Sequence, residues 1–167
     1  MSTLNKNRLP SSVTSAIFAE DDNHRLLLLR RVEGIRGAGL LAPPGGGILD
    51  GEDPIGASLR EGKEETGLDF RLTGLMAIIT VPHESGGNRV GFVFRGLIVG
   101  GEMKYQEEEV VGHEFVTREE AGGILVAELS GTKTLFMPQF NVLNIADWIA
   151  DKSYPLEVLR RFAKKAP

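Results

Sequence analysis

The segment LREGKEETGL, residues 59–68, crowds three glutamates onto little more than one turn of a predicted helix. Residues three or four apart on a helix are neighbours, so the pairs Glu61/Glu64 and Glu61/Glu65 repel each other by roughly 0.2–0.5 kcal/mol each. A run of three glycines at residues 45–47, preceded by two prolines, predicts a tight loop whose bare backbone can approach a ligand closely. Two interpretations are open: the acidic face is merely solvated, or the glutamates and the glycine loop together form a ligand site.

The spacing between the loop and the helix favours a ligand site. Five residues separate Gly46 from Glu52, and seven more separate Glu52 from the segment REGKEETGL, which begins at Arg60. This pattern resembles the signature of the Nudix hydrolases over residues 46–68, and every position of fixed identity in that signature matches. So many specified positions at fixed spacing are far more specific than a lone glycine motif.

Gly62 is the single departure from the signature, which has a bulky aliphatic residue at this position. A glycine in a helix interior costs ~1 kcal/mol relative to alanine. At ~100° per residue, Gly62 shares a face with Ile55, Leu59 and Thr66, whereas the three glutamates cluster roughly opposite. Either a neighbour packs unusually close to Gly62, or this helix is less stable than in related proteins. In both cases the effect falls on stability rather than on chemistry.

The resemblance implies both a fold and an activity. The fold is α+β, a Nudix-like α/β/α sandwich with a mixed β-sheet, formed by residues 1–167 as one domain. The activity is that of a pyrophosphohydrolase, which uses Mg²⁺ or Mn²⁺ and water to cleave a nucleoside diphosphate linked to another moiety. An ADP-ribose or nucleotide-sugar substrate and a nucleoside triphosphate all stay open. The alternative is a non-catalytic Nudix-fold domain that binds a nucleotide for regulation, but the intact carboxylates favour the enzyme.

By the same resemblance, the helix and the loop supply the metal site. The predicted metal ligands are the carboxylates of Glu61, Glu64 and Glu65 and the carbonyl of Gly45. Arg60 completes the catalytic set on this helix, where we expect it to pair with Glu52 and brace the loop. Mg²⁺ prefers oxygen ligands and bridges carboxylates to substrate phosphates. A bound cation would also let an acidic chain hold an anionic substrate.

A catalytic base is expected from the later acidic segment YQEEEVVGHEF. Relatives carry a glutamate at a similar distance from an aromatic residue, which favours Glu109, six residues before Phe115. Glu107 and Glu108 stay open as alternatives, and so does a solvated acidic turn.

Residues that contact the substrate are predicted in the glycine loop and in the neighbouring loops. They are Arg36, Gly46, Gly47, His83 and Arg89. Plain surface exposure also explains each charged member, as it explains Arg30 and Arg31. Pro82 falls near the place where ADP-ribose-cleaving relatives carry a proline, although a proline that ends a strand is common.

Composition narrows the class of protein. With 19 Lys and Arg against 23 Asp and Glu, the formal charge of −4 disfavours a general role on nucleic acid, including RNA processing. The absence of cysteine excludes disulfides, thiolate zinc sites and thiol nucleophiles. The start of the chain lacks an apolar core of signal-peptide length, and no stretch approaches the ~18 apolar residues of a membrane span. We therefore expect a cytoplasmic protein that acts on a small nucleotide, away from membranes, and leave a homodimer open.

Strands are predicted at residues 13–19, 26–31, 72–81, 90–99 and 110–116. The run HRLLLLRR is typical of a central strand covered on both faces, so helices should lie on both sides of the sheet. The clearest helix is Pro54–Thr66, with Asp53 as its N-cap and Gly67 at its exit. Two further helices are predicted at residues 140–152 and 155–165. The first of these should bury Leu143, Ala146, Trp148 and Ile149.

Overall fold

The structure is a computed structural model that describes residues 12–34, 37–82, 87–131 and 140–159. Seven strands and three α-helices are found in this part of the chain. The strands are β1 (Ser12–Glu20), β2 (Leu26–Arg31), β3 (Leu41–Ala42), β4 (Gly45–Gly47), β5 (Leu68–Pro82), β6 (Asn88–Gly101) and β7 (Val110–Val116). The helices are α1 (Pro54–Thr66), α2 (Arg118–Leu129) and α3 (Phe140–Ile149). The predicted α+β class with a mixed sheet is confirmed.

The sheet is mixed because β1 runs parallel to β6, whereas the other described pairings are antiparallel. Its main order is β3-β2-β1-β6-β5, with β4 beside β1 and β7 beside β2. Strand β4 occupies the edge of the first half of β1, where Gly45 pairs with Ala16. Strand β2 joins β1 at the other end, where Leu26 pairs with Glu20. The glycine run predicted as a loop is thus a short strand of the sheet.

Both faces of the sheet are covered, as the apolar run in β2 predicts. Leu26 and Leu28 belong to a core that also contains residues of α2 and α3, among them Trp148. Leu27 and Leu29 point to the opposite face, where they pack with Val110 and other residues of β5 to β7. Helix α1 lies against β1, β4 and β5.

Helix α1 begins and ends where its local sequence predicts. The Asp53 side chain accepts hydrogen bonds from the backbone N–H groups of Ile55 and Gly56, at 2.9 and 3.0 Å. Gly67 adopts a left-handed conformation with φ of 71°, and its N–H donates to the carbonyl of Lys63 at 2.8 Å. These caps pair backbone groups that a helix end otherwise leaves without partners.

Helix α2 is absent from the predictions above. Two adjacent glycines, Gly122 and Gly123, lower its helix propensity by about 1 kcal/mol each. The signal that marks its start is a capping box, in which Thr117 and Glu120 bond reciprocally. Tertiary packing of Ala121 in the core compensates for the weak propensity.

The C-terminal predictions need correction. Helix α3 ends at Ile149 rather than at residue 152, because Asp151 takes a positive φ of 59°. Trp148 is buried and Ile149 packs against the core as predicted, but Leu143 is 69% exposed. Of the helix predicted at 155–165, the described residues form only a 3₁₀ turn, Leu156–Val158, followed by an extended residue, and residues 160–165 lie outside the described part. In the described part of the chain, every helix is too short or too polar to cross a bilayer.

A buried acid ties α3 to the sheet. The carboxylate of Glu20, at the end of β1, accepts hydrogen bonds from Trp148 Nε1 at 2.8 Å and from Arg95 on β6. Arg95 also lies 2.8 Å from Asp151, just after α3. Arg118, the first residue of α2, donates to the carbonyl of Trp148 at 2.6 Å and stacks over its ring. Both C-terminal helices are therefore fastened to one end of the sheet.

We expect Glu20→Ala to lower the free energy of unfolding by about 3 kcal/mol, because it leaves the mostly buried Arg95 without this carboxylate. Urea unfolding followed by circular dichroism measures the effect. The control is Glu157→Ala at an exposed glutamate, which should change stability by less than about 0.5 kcal/mol. Equal effects of the two substitutions would contradict the structural role of Glu20.

Candidate active site

The glycine strand β4 and helix α1 approach each other so closely that a side chain does not fit between them. A Cβ added to Gly46 would lie 2.5 Å from Cδ of Glu61 and 2.7 Å from its Oε1. A Cβ added to Gly45 would lie 2.6 Å from the Cα of Ala16 on β1. The Glu61 carboxylate occupies this space at Gly46 and the backbone of β1 occupies it at Gly45, so a side chain at either position would displace its neighbour.

Glu65 lies next to the glycine strand β4 and is buried. Its Oε2 accepts a hydrogen bond from the backbone N–H of Gly45 at 2.8 Å. Burial, together with the negative charges of Glu61 and Glu109, raises the pKa of Glu65 to about 8, against the opposing effects of the Gly45 bond and the Arg31 charge. The positive charges of the protein therefore do not balance the negative charge of the Glu65 carboxylate.

The predicted acidic face is wrong for Glu65. The Glu64 side chain is 52% exposed and that of Glu61 17%, but Glu65 belongs to the buried stripe of α1 that includes Ser58 and Gly62. The reason is the helical period: three residues turn ~300°, which brings Glu65 back to within ~60° of Gly62. The three glutamates thus stand in three different environments.

Arg60 joins the helix to the loop that precedes it. Its Nε and Nη2 donate to the two oxygens of Glu52, both at 2.9 Å, and Nη2 also donates to the carbonyl of Gly47 at 2.9 Å. Nη1 donates to Glu61 at 2.8 Å and to Glu64 at 3.0 Å. These hydrogen bonds raise the pKa of Arg60 and lower that of Glu52. The expected pairing with Glu52 is present, and the same cation offsets the repulsion between Glu61 and Glu64.

The segment between β6 and β7 reaches the site from the other end of α1. The N–H of Lys104 donates to the carbonyl of Thr66 at 2.8 Å, and that of Gln106 to the carbonyl of Glu65 at 3.4 Å. The segment is therefore held by the last turn of the helix that carries the glutamates.

This segment ends at Glu109, the favoured base. The Glu109 carboxylate lies 4.0 Å from Nη2 of Arg31 on β2, and its charge acts on Glu65. Glu107 and Glu108 are exposed. Arg31, for which plain exposure was an adequate explanation in the sequence, is 79% buried at its side chain and faces the acidic cluster. This burial of Arg31 depends on its pairing with the start of β7, which is a tertiary feature that the sequence does not show.

The comparisons with known proteins agree with this geometry. Residues 10–140 match the family model of the NUDIX domain, which is well over half of the chain. The chain belongs to the Nudix hydrolase family. It is 36% identical over 86 residues to an ADP-ribose pyrophosphatase of Methanocaldococcus jannaschii, a match that covers 51% of this chain and 50% of that protein. The chain thus spans about half the length of this curated relative.

Solved structures extend the similarity to the whole Nudix fold. The NUDIX hydrolase from Nitrosomonas europaea is 25% identical with a TM-score of 0.69, over 92% of this chain and 98% of that one. The MutT protein from Methanosarcina mazei Go1 is 21% identical with a TM-score of 0.67, over 85% of this chain and 94% of that one. The predicted family and fold are therefore confirmed.

The structure describes only some of the other residues of this Nudix domain that were predicted to contact the substrate. Gly47 lies on β4 and accepts from Arg60. Arg89 lies on β6 beside the start of β1, where its Nε donates to Oγ of Ser12 at 3.4 Å. Arg36 and His83 lie outside the described residues. Within the described ranges, no three acidic or histidine side chains are close enough to form a complete metal cage.

We expect the stability of the metal-free protein to fall as pH rises from about 5 to 8. The unfolded Glu65 loses its proton near 4.5 and the folded one near 8, so between these values the folded state holds the extra proton. Urea unfolding in EDTA measures wild type against Glu65→Gln, which carries no ionisable group here. The stability advantage of Glu65→Gln should grow with pH, by roughly 1.4 kcal/mol per unit at most. An advantage that stays constant over this range would contradict the raised pKa.

Proposed function

We propose that this Nudix protein is a metal-dependent pyrophosphohydrolase that cleaves a nucleoside diphosphate linked to another moiety, with ADP-ribose as the leading substrate. The observation that carries the proposal is the contact of two α1 carboxylates with the glycine strand: Glu61 fills the space beside Gly46, and Glu65 accepts a hydrogen bond from the N–H of Gly45. The charge of Glu109 also acts on Glu65. A purely structural acid would be matched by cations, whereas Glu65 is buried among other acids and keeps a raised pKa.

The donor chemistry of the site fits Mg²⁺ or Mn²⁺. The carboxylates of Glu61, Glu65 and Glu109 are hard oxygen donors, and the charge deficit at Glu65 is one that a divalent cation would correct. A complete cage is not needed, because Mg²⁺ is usually held by one or two carboxylates together with waters and substrate phosphates. We assign Glu61 and Glu65 as the main ligands, with Glu64 and the Gly45 carbonyl as further candidates. When bound, the cation lowers the pKa of a coordinated water and stabilises the leaving phosphate.

The remaining residues orient these groups and move the proton. Arg60 fixes the carboxylates of Glu61 and Glu64 with respect to the loop. Gly46 and Gly47 expose bare backbone, which allows a pyrophosphate to come close to the strand. Glu109 is half-exposed beside Arg31, so it can accept a proton from the attacking water.

The substrate assignment follows from the relative and from one sequence feature. The Methanocaldococcus jannaschii protein is an ADP-ribose pyrophosphatase. Pro82, which ends β5, lies near the position where ADP-ribose-cleaving relatives carry a proline. We infer that Arg89 and, by sequence position, Arg36 and His83 contribute to substrate binding. A cytoplasmic location and a homodimer remain predictions.

We expect ADP-ribose to be cleaved to AMP and ribose 5-phosphate in the presence of Mg²⁺ or Mn²⁺. A panel of ADP-ribose, nucleotide sugars and nucleoside triphosphates, with products resolved by chromatography, tests the substrate class. EDTA should abolish turnover because the charge of the pyrophosphate is then uncompensated, and excess Mg²⁺ should restore it. Turnover that survives full chelation would contradict the metal assignment. Binding without cleavage of any substrate would instead support a non-catalytic nucleotide-binding domain.

We expect Glu109→Gln to reduce kcat by about 10²–10⁴-fold, because a positioned base typically contributes this much. KM should change much less, since the side chain keeps its size. The matched controls are Glu107→Gln and Glu108→Gln in the same turn, which remove equal charge from exposed positions. Loss of activity in one of the controls, with Glu109→Gln unaffected, would move the role of base to that residue.

A further inference from the structure

Gly62 is buried in helix α1 against the ring of an aromatic residue from the sheet. A Cβ added to Gly62 would lie 2.8 Å from Cε2 and 2.9 Å from Cδ2 of Phe70, and 3.2 Å from Cδ1 of Ile17. Separations below about 3 Å are far inside van der Waals contact, which for carbon atoms is about 3.5–4.0 Å. The Phe70 ring therefore occupies the space that a side chain at position 62 would need.

The ring is held from the sheet side. Phe70 lies on β5 and packs against the cluster that contains Leu27, Leu29 and Leu68. Ile17, the second neighbour of Gly62, lies on β1 next to Ala16, the residue that pairs with Gly45 of the glycine strand. On β1, the residue that contacts Gly62 is therefore next to the residue that pairs with the glycine strand. Glu65 forms its hydrogen bond to that same strand.

The site tolerates little change in the position of α1. Glu61 is the neighbour of Gly62 in the chain, and its carboxylate already fills the space beside Gly46. Glu65 follows within one turn and receives the 2.8 Å hydrogen bond from Gly45. A shift of the helix by about 1 Å directly away from β4 would lengthen that bond beyond the range of a hydrogen bond.

We propose that Gly62 and Phe70 are a pair of positioning residues. The Phe70 ring supplies from the sheet the apolar volume that the helix lacks at position 62, and this contact sets the distance between α1 and β4. Glu61 and Glu65 then meet the glycine strand at the separation that the reaction needs. The catalytic part of this inference rests on the proposed function, whereas the geometric part does not.

The competing explanation is that Gly62 only weakens the helix. In that case any larger residue with better helix propensity would stabilise α1 and leave the site unchanged. The two explanations predict opposite outcomes for a leucine at position 62. They also differ on Phe70, because only a paired contact lets a smaller residue at position 70 correct the effect of a larger one at 62.

The test combines Gly62→Leu, Phe70→Ala and the double variant. The leucine adds four carbons where the Phe70→Ala change removes six, so the double variant nearly restores the total apolar volume. The matched control is Gly56→Ala in the same helix, where the added Cβ would have only ordinary contacts, the nearest at 3.7 Å from Cγ of Glu52. Two readouts are used: the amide ¹H–¹⁵N resonance of Gly45 in the metal-free protein, and kcat and KM on the best substrate.

We expect Gly62→Leu to shift the Gly45 resonance and to reduce kcat by about 10–100-fold, because a misplacement of about 1 Å can cost this much. KM should change much less. The double variant should recover the wild-type resonance and most of kcat, and Gly56→Ala should keep both. If Gly62→Leu does not fold, Gly62→Ala with Phe70→Leu replaces the pair, and the same recovery is expected.

A wild-type Gly45 resonance in the folded single variant, or a double variant with no recovery, would overturn the inference. A wild type that cleaves none of the substrates would refute the proposed function alone, because the Gly45 resonance still decides whether Gly62 and Phe70 set the position of the helix.

Discussion

The close approach of helix α1 to the glycine strand is the constraint on which the rest of this structure depends. The Glu61 carboxylate fills the space beside Gly46, and the Glu65 carboxylate binds the N–H of Gly45. For this to happen, β4 must lie along the edge of β1, which moves the pairing of β2 to the far end of that strand. The sheet topology and the site therefore both depend on the missing side chains of Gly45 and Gly46.

Two buried glutamates, Glu20 and Glu65, have contrasting electrostatic surroundings. Glu20 accepts hydrogen bonds from Arg95 and Trp148 and fastens the C-terminal helices to the sheet. Glu65 receives one amide hydrogen bond but stands near two other acids, and its pKa rises to about 8. An acid left short of positive charge is unfavourable for stability and suitable for binding a cation, a conflict that is common at active sites.

Two arginines supply positive charge to the acidic residues around Glu65. Arg60 binds Glu52, Glu61 and Glu64 together and so holds the rim of the site, without direct contact to the buried carboxylate. Arg31 lies beside Glu109, and its charge offsets only part of the rise in the pKa of Glu65. The guanidinium groups thus lie beside the more exposed carboxylates, whereas the buried carboxylate of Glu65 keeps a raised pKa.

The sequence by itself determined the features that depend on neighbouring residues. The ends of α1 follow from Asp53 and Gly67, because caps are local, and the burial of β2 on both faces follows from its continuous apolar run. The spacing of the motif likewise predicted the family. The capping box marks the start of α2 in the sequence, but the two adjacent glycines that follow argue against a helix there.

Tertiary structure alone decided which groups meet across the sheet. The ring of Phe70 fills the place of a side chain at Gly62, and Arg31 faces Glu109. These environments are made by residues that are distant in the chain, so neither periodicity nor motif spacing contains them. The charge on a carboxylate depends on what surrounds it, and that is known only when the strands and helices are packed.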